Sequence, residues 1–344
     1  MLETFLYALN AVVPLVLTIF LGYFLRRIGF FSDTFLKIGY RFSFYVALPC
    51  MLFCNVYSIK SFREIDLSTV VYAVLVVVAL FSVGALVSLL FIKDRRQRGV
   101  VTQCFFRSNS AIIGVSLTEA LGGSASLQCV AVLTAFTIPL YNVLAVISLT
   151  AFRESGGEGK RGLRAINWKK IGINILKNPL IIGISIGFLC LAVRSLIPVN
   201  EAGEKVFLLS KQASMFFSVV EGMAKIASPF MMLMLGGQFS FAAVKGMKKQ
   251  IVIGTVGRVL FAPALGIGVG LLLSRYTFLL NLGAAEYASF IAIFASPVAV
   301  SSAIMAREMD NDDILAGQYV VWTSIASVFT VFLFAFVFRS IGIL

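Results

Sequence analysis

The eight residues RSNSAIIG, 107–114, interrupt an apolar run that extends from Val100 to Leu121. Four consecutive polar side chains, one of them a guanidinium, are costly in hydrocarbon unless they face protein or water. A second interruption, ASPVAVSS at 295–302, falls in a later apolar run. There Pro297 removes a backbone donor and frees a carbonyl one turn earlier, so a helix must kink or break. A broken helix exposes amide groups where its second half starts, and their partial positive charge suits an anion.

Outward from these two stretches, apolar runs recur along all 344 residues. The chain is 59% hydrophobic and only 13% charged, against roughly 25% charged in an ordinary soluble domain. Backbone groups leaving water must be paired internally, which restricts spanning structures to helices or closed barrels, and the alternation a barrel needs is missing. The chain reads as an all-α membrane protein. At about 20 residues per span, ten helices fall near 4–26, 35–58, 67–92, 100–121, 127–152, 174–197, 213–240, 250–274, 286–306 and 314–339. The first run is too long for a signal-peptide core, ends in Arg26 and Arg27, and lacks a small-residue cleavage site, so it counts as a helix.

The 29 Lys and Arg exceed the 16 Asp and Glu, giving a net charge of +13. These charges sit in short loops between apolar runs and not on one face, which favours a bilayer over nucleic acid as the partner. With the N-terminus outside, roughly 19 basic residues fall in cytoplasmic segments against roughly 7 opposite, as the positive-inside rule requires. Both termini are then external. The five cysteines lie in apolar runs without a Cys-x-x-Cys pair, and no histidine exists to complete a metal site. No phosphate loop ending in Gly-Lys-Ser/Thr is present, which argues against an ATP-driven pump; nothing resembles an intramembrane hydrolase, so no enzyme and no cofactor are expected.

The two halves carry matching landmarks. Pro14 is followed eight residues later by Gly22, and Pro179 eight residues later by Gly187. Pro49 in YVALPCMLF pairs with Pro229 in KIASPFMML, and the interruption at Asn109 pairs with that at Pro297. An odd number of spans per half makes the second copy enter from the opposite face. The expected organisation is a first five-helix repeat at 1–152, a short basic loop at 153–173, and an inverted second repeat at 174–344.

Candidate substrate-binding residues are Arg107, Ser108, Asn109, Asn142, Ser296 and Pro297. For the polar cluster the competing reading is interhelical hydrogen bonding, and for Arg107 a side chain snorkelling to the interface. Asn55 and Tyr141 can contribute to the same cavity. Glu221 and Lys225, spaced i,i+4, suit a structural ion pair, with proton coupling at Glu221 as the alternative. Arg258 either anchors at an interface or supplies charge for an anion, or takes part in coupling. Gly183-x-x-x-Gly187 and Gly266-x-x-x-Gly270 offer flat packing faces.

The stretches VVPLVLTIFLGYFLRRIGFFSD, ALPCMLF, RSNSAIIGVSL, LKNPLIIGISIGFL and ASPVAVSSAIMAREMDNDDILAGQYVVWTSIAS, spread over nearly the whole chain, resemble the auxin efflux carrier family, which includes plant PIN-FORMED carriers and bacterial malate and malonate permeases. The resemblance implies a scaffold from spans one, two, six and seven, and a transport domain from the rest. It also implies spans four and nine crossing at broken points beside an anion site, at Asn109 and Pro297 here, and frequent homodimers. Ser108 stands where relatives often have proline, implying a milder break in that half. The short Arg153 to Lys170 loop resembles that of the bacterial permeases, hence a prokaryotic inner membrane. The expected function is secondary carriage of a small organic anion, a dicarboxylate or an indole carboxylate. A sodium-coupled symporter of the bile-acid-carrier type and a non-transporting carboxylate sensor are the alternatives.

Overall fold

The computed structural model describes residues 2–58, 67–110, 115–154, 173, 176–197, 208–239, 244–277 and 279–344. Among them every regular element is helical, and the one strand-like feature is an isolated antiparallel bridge between Ser108 and Val298. In chain order the elements are α1 (Leu2–Arg27), α2 (Asp33–Phe42), α3 (Leu48–Tyr57), α4 (Leu67–Phe91), α5 (Arg95–Phe106), α6 (Val115–Glu154) and α7 (Pro179–Leu196). There follow the short α8 (Leu209–Gln212), then α9 (Ser214–Gln238), α10 (Val244–Val256), α11 (Val269–Tyr276), α12 (Ala284–Phe290), α13 (Ser301–Glu308) and α14 (Asp313–Ser340).

Among the described residues, five helical stretches are long and apolar enough to cross a bilayer: Leu67–Phe91, Cys129–Phe152, Ser214–Gln238, Val244–Tyr276 and Asp313–Ser340. Pro179–Arg194 and Ala284–Ala295 are shorter apolar helices. The polar interruptions explain part of the shortfall from ten, because α5 stops at Phe106 and the helical chain through α12 stops at Ala295.

Widened π-helical turns precede three of the prolines: Ser43–Ala47 before Pro49, Gly257–Phe261 before Pro263, and Ile291–Ala295 before Pro297. Each proline lacks the N–H that would bond the carbonyl four residues back and crowds it with its ring, so the preceding turn opens. Polar side chains mark several helix starts. Ser32, Asp94, Asn178 and Asp312 accept backbone N–H groups at the beginnings of α2, α5, α7 and α14.

In one respect the helices depart from the sequence expectation. Spans four and five, expected to part near residues 122–126, share the single 40-residue helix α6. Gly122 and Gly123 permit a turn but do not compel one, and no proline follows them to forbid helical backbone. Residues 155–172, most of the basic loop, lie outside the described residues, as does Gly114.

Glycines bring the helices into backbone contact. A β-carbon at Gly22 of α1 would lie 2.2 Å from the Leu233 carbonyl oxygen of α9, and one at Gly236 of α9 would lie 1.8 Å from the Ile19 carbonyl oxygen. On the other side, Gly183 and Gly187 of α7 seat against Pro49 and Val56 of α3, at 2.6 and 2.8 Å for the added carbon. Gly22 and Gly187 therefore do the same job, each letting its helix approach a proline-bearing helix. Gly257 and Gly266 likewise admit the rings of Phe105 and Phe294, so the α10–α11 chain lies against the end of α5 and the end of the Ile291–Ala295 turn.

One end of the bundle is tied by polar contacts. Arg96 donates to the carbonyls of Asp310 and Asn311, at 3.2 and 3.3 Å, and Gln97 donates to Asp312 at 2.9 Å, joining the start of α5 to the α13–α14 turn. Arg307 of α13 lies 4.4 Å over the Tyr40 ring, pairs with Asp313 at 3.7 Å and donates to Gln238, linking α13 to α2, α9 and α14.

Because added volume at a backbone contact costs about 1–3 kcal/mol, Gly236→Leu is expected to lower the melting temperature in detergent by on the order of 5 °C. Gly222→Leu, in the same helix but with nothing within 4 Å of the added carbon, is the control and is expected to melt like the parent in a thermal scan.

Candidate functional site

α5 ends at Phe106, and the backbone at Arg107 is extended, with φ −82° and ψ 106°. Ser296 is extended too, at φ −66° and ψ 152°. The two unwound stretches lie antiparallel. The Asn109 N–H donates to the Pro297 carbonyl at 2.9 Å, and the Ala299 N–H to the Arg107 carbonyl at 3.4 Å. The break at Arg107 to Asn109 opens without a proline, because each strand supplies partners for the other; it is the shorter of the two, three residues before Ser110 against the five from Ser296 to Val300.

Several other released groups meet side chains of neighbouring helices. Pro297 leaves the Ile293 carbonyl without its helical donor, and Arg258 supplies one from NH2 at 2.9 Å. Its Nε donates to the Ser296 carbonyl at 2.8 Å, and its NH1 to the Phe105 carbonyl at 3.4 Å. The Val298 N–H donates to Thr323 Oγ1 of α14 at 3.0 Å, and that hydroxyl donates in turn to the Tyr319 carbonyl.

Beside the crossing is a cavity of about 40 Å³, bounded by Arg107, Ser108 and Asn109 from the first break, Ala299, Val300 and Ser301 from the second, Asn142 and Tyr141 of α6, and apolar side chains of α3 and α9. Arg107 is only 2% exposed. It donates to Asn142 Oδ1 at 2.8 Å, to Ser301 Oγ at 2.9 Å and to Gln103 Oε1 at 3.2 Å, and abuts Met305 Sδ. All these acceptors are neutral, and among the described residues no carboxylate pairs with it. Asn142 is oriented by its own amide, which donates to the Ile138 carbonyl at 2.8 Å.

Two polar atoms that the first break brings to the cavity are buried and unpartnered among the described residues: Ser108 Oγ and Asn109 Nδ2, on side chains 5% and 4% exposed. An unpaired buried donor costs about 1–3 kcal/mol. The site therefore combines one guanidinium, a free amide donor and a free hydroxyl. Ser301, the first residue of α13, also brings the positive end of that helix to the wall.

Residues 7–335 match the family model described as Membrane transport protein, that of the auxin efflux carriers. The chain belongs to this family. The match covers both broken helices and everything between them, so the crossing lies within the part shared with membrane transporters. Its several long apolar helices accord with an integral membrane protein. None of the curated proteins compared matches the sequence.

Of the residues singled out in this transporter's sequence, Arg107, Ser108, Asn109 and Asn142 meet at the cavity, with Asn55 at its edge. Ser296 and Pro297 lie in the second break but not on the cavity wall; the Ser296 hydroxyl is turned to the Ala292 carbonyl of its own helix. Arg258 is fully buried behind the crossing. Glu221 pairs with Lys225 at 2.9 Å, on side chains 46% and 71% exposed, away from the cavity. Gln103 was not singled out, though its place four residues before Arg107 makes it a natural helix-face partner. Thr323, one hydroxyl among several in α14, carries no sequence signal.

Thr323→Val leaves the buried Val298 N–H without an acceptor, at about 1–3 kcal/mol. It is expected to lower thermal stability in detergent, whereas Thr323→Ser retains the acceptor and is expected to melt close to the parent.

Proposed function

We propose that this transporter is a secondary carrier of small organic anions, binding a carboxylate at Arg107, Ser108 and Asn109. The observation that carries the reading is the buried guanidinium of Arg107, facing a cavity with neutral partners only. A charge desolvated without a counterion is costly, and an anion arriving in the cavity offsets that cost while meeting the two unpartnered donors. The apolar side chains of Leu48, Met51, Leu52, Ile138 and Met231 on the remaining walls favour a substrate with one carboxylate and an apolar body over one with two carboxylates.

The proposed architecture has two inverted halves of five spans, 1–152 and 174–344, both termini external, in a prokaryotic inner membrane as a homodimer. Supporting it are the equivalent packing of Gly22 and Gly187, the meeting of Asn109 with Pro297, and the basic bias of one set of loops. The cavity, at about 40 Å³, has room for only a few water molecules. Loading an organic anion therefore requires the α3 and α9 walls to part from the crossing, which is the motion alternating access needs.

Proteoliposomes loaded in turn with malate, malonate, lactate and indole-3-acetate test the proposal by counterflow. At least one is expected to exchange, and Arg107→Gln is expected to reduce that exchange by about tenfold or more, the scale of a lost hydrogen bond to a charged group. Asn109→Ala is expected to weaken binding without preventing insertion. No exchange of any carboxylate by folded protein would sink the reading, and exchange only in the presence of sodium would favour the symporter alternative.

A further inference from the structure

Arg258 is the second guanidinium buried in the middle of the bundle, and its surroundings differ from those of Arg107. It is fully buried, does not line the cavity, and directs its Nε, NH1 and NH2 to three backbone carbonyls. One of these, Phe105 O, belongs to the last turn of α5. Of the other two, Ile293 O lies in the Ile291–Ala295 turn and Ser296 O in the extended stretch that follows it. A planar fork with five donors can span such a set, which a single ammonium cannot.

The local chain is built to bring it there. Gly257 lets the widened turn Gly257–Phe261 press against the Phe105 ring, 2.4 Å from where a β-carbon would stand. Gly266 does the same against Phe294, next to Ile293. Both helix ends are therefore held by one element, and Arg258 joins them beside the backbone pair of the crossing.

We infer that Arg258 is a positioning residue: it clamps the carbonyls released at both helix breaks and so sets the register of the Ser108–Val298 bridge on which the anion pocket depends. It acts through the backbone of the crossing and does not touch the substrate. The inference rests on the proposed site for its consequence in transport, but the clamp itself is measurable without any substrate.

Residues facing each other across an antiparallel bridge bring their β-carbons to about 4.5–5.5 Å, close enough for a disulfide to form with slight adjustment. In a background lacking the five native cysteines, the pair Ser108→Cys and Val298→Cys is oxidised with copper phenanthroline in the full-length protein, and the cross-linking rate is followed. With Arg258 present the pair is expected to close readily. Arg258→Met is expected to slow closure by about tenfold, on the scale of losing hydrogen bonds to a charged group, and Arg258→Lys by less.

If Arg258→Met does not yield a monodisperse protein, Arg258→Lys decides alone, since it keeps the charge and loses the fork. Cross-linking at the parental rate in every folded variant would overturn the inference. So would loss of malate or indole-3-acetate binding in Arg258→Met, without the cross-linking pair, if closure of the pair stayed fast, because Arg258 would then be acting on the anion and not on the bridge. Should the parent bind none of the carboxylates, the proposed function fails while the cross-linking rates still judge the clamp.

Discussion

The structure depends on how backbone groups are satisfied where two helices stop in the middle of an apolar bundle. Hydrocarbon offers no partner for a released N–H or carbonyl, so irregular backbone at that depth survives only where protein supplies the missing bonds. Here the two interruptions supply each other, through Asn109 with Pro297 and Ala299 with Arg107. Arg258 and Thr323 meet the Ser296 and Ile293 carbonyls and the Val298 N–H. The glycines of the α10–α11 chain and the polar ties of the α13–α14 turn then serve to keep the halves of the crossing at this spacing.

Two buried guanidiniums flank the crossing with opposite duties. Arg258 is consumed by carbonyl dipoles, which spread its charge and fix its position. Arg107 faces a space bounded by neutral acceptors and by donors that have no partner of their own. A buried charge seldom stabilises a fold by itself. The presence of both is understandable if one maintains an unusual backbone and the other waits for an anion.

Much of this was legible in the residues. The polar clusters at 107–110 and 296–302 stood out against apolar surroundings, and Pro297 announced a break through its missing donor. Asn142 was legible as an amide in a membrane segment. Other features were hidden because they are tertiary. The break at Ser108 needs no proline, since the opposite strand stabilises it, and a rule based on local breakers does not see that partner. Arg258 offered three readings, interface anchor, anion ligand or coupling residue, and its contacts could not be read from sequence, because its partners are carbonyls that become available only once other helices have opened. The separate apolar runs at 100–121 and 127–152 suggested a turn where α6 runs on, since composition between two runs permits a bend that only packing decides.

The central claim is that the anion sits against Arg107 at the crossing. A structure of the protein in lipid nanodiscs with a bromine-bearing monocarboxylate, located by the heavy atom, tests this most directly. The account predicts the carboxylate within hydrogen-bond reach of the Arg107 guanidinium and the Asn109 amide, with the α3 and α9 walls displaced outward to admit its body. A carboxylate bound elsewhere, with Arg107 still held by Asn142 and Ser301 and the cavity unchanged, would contradict it.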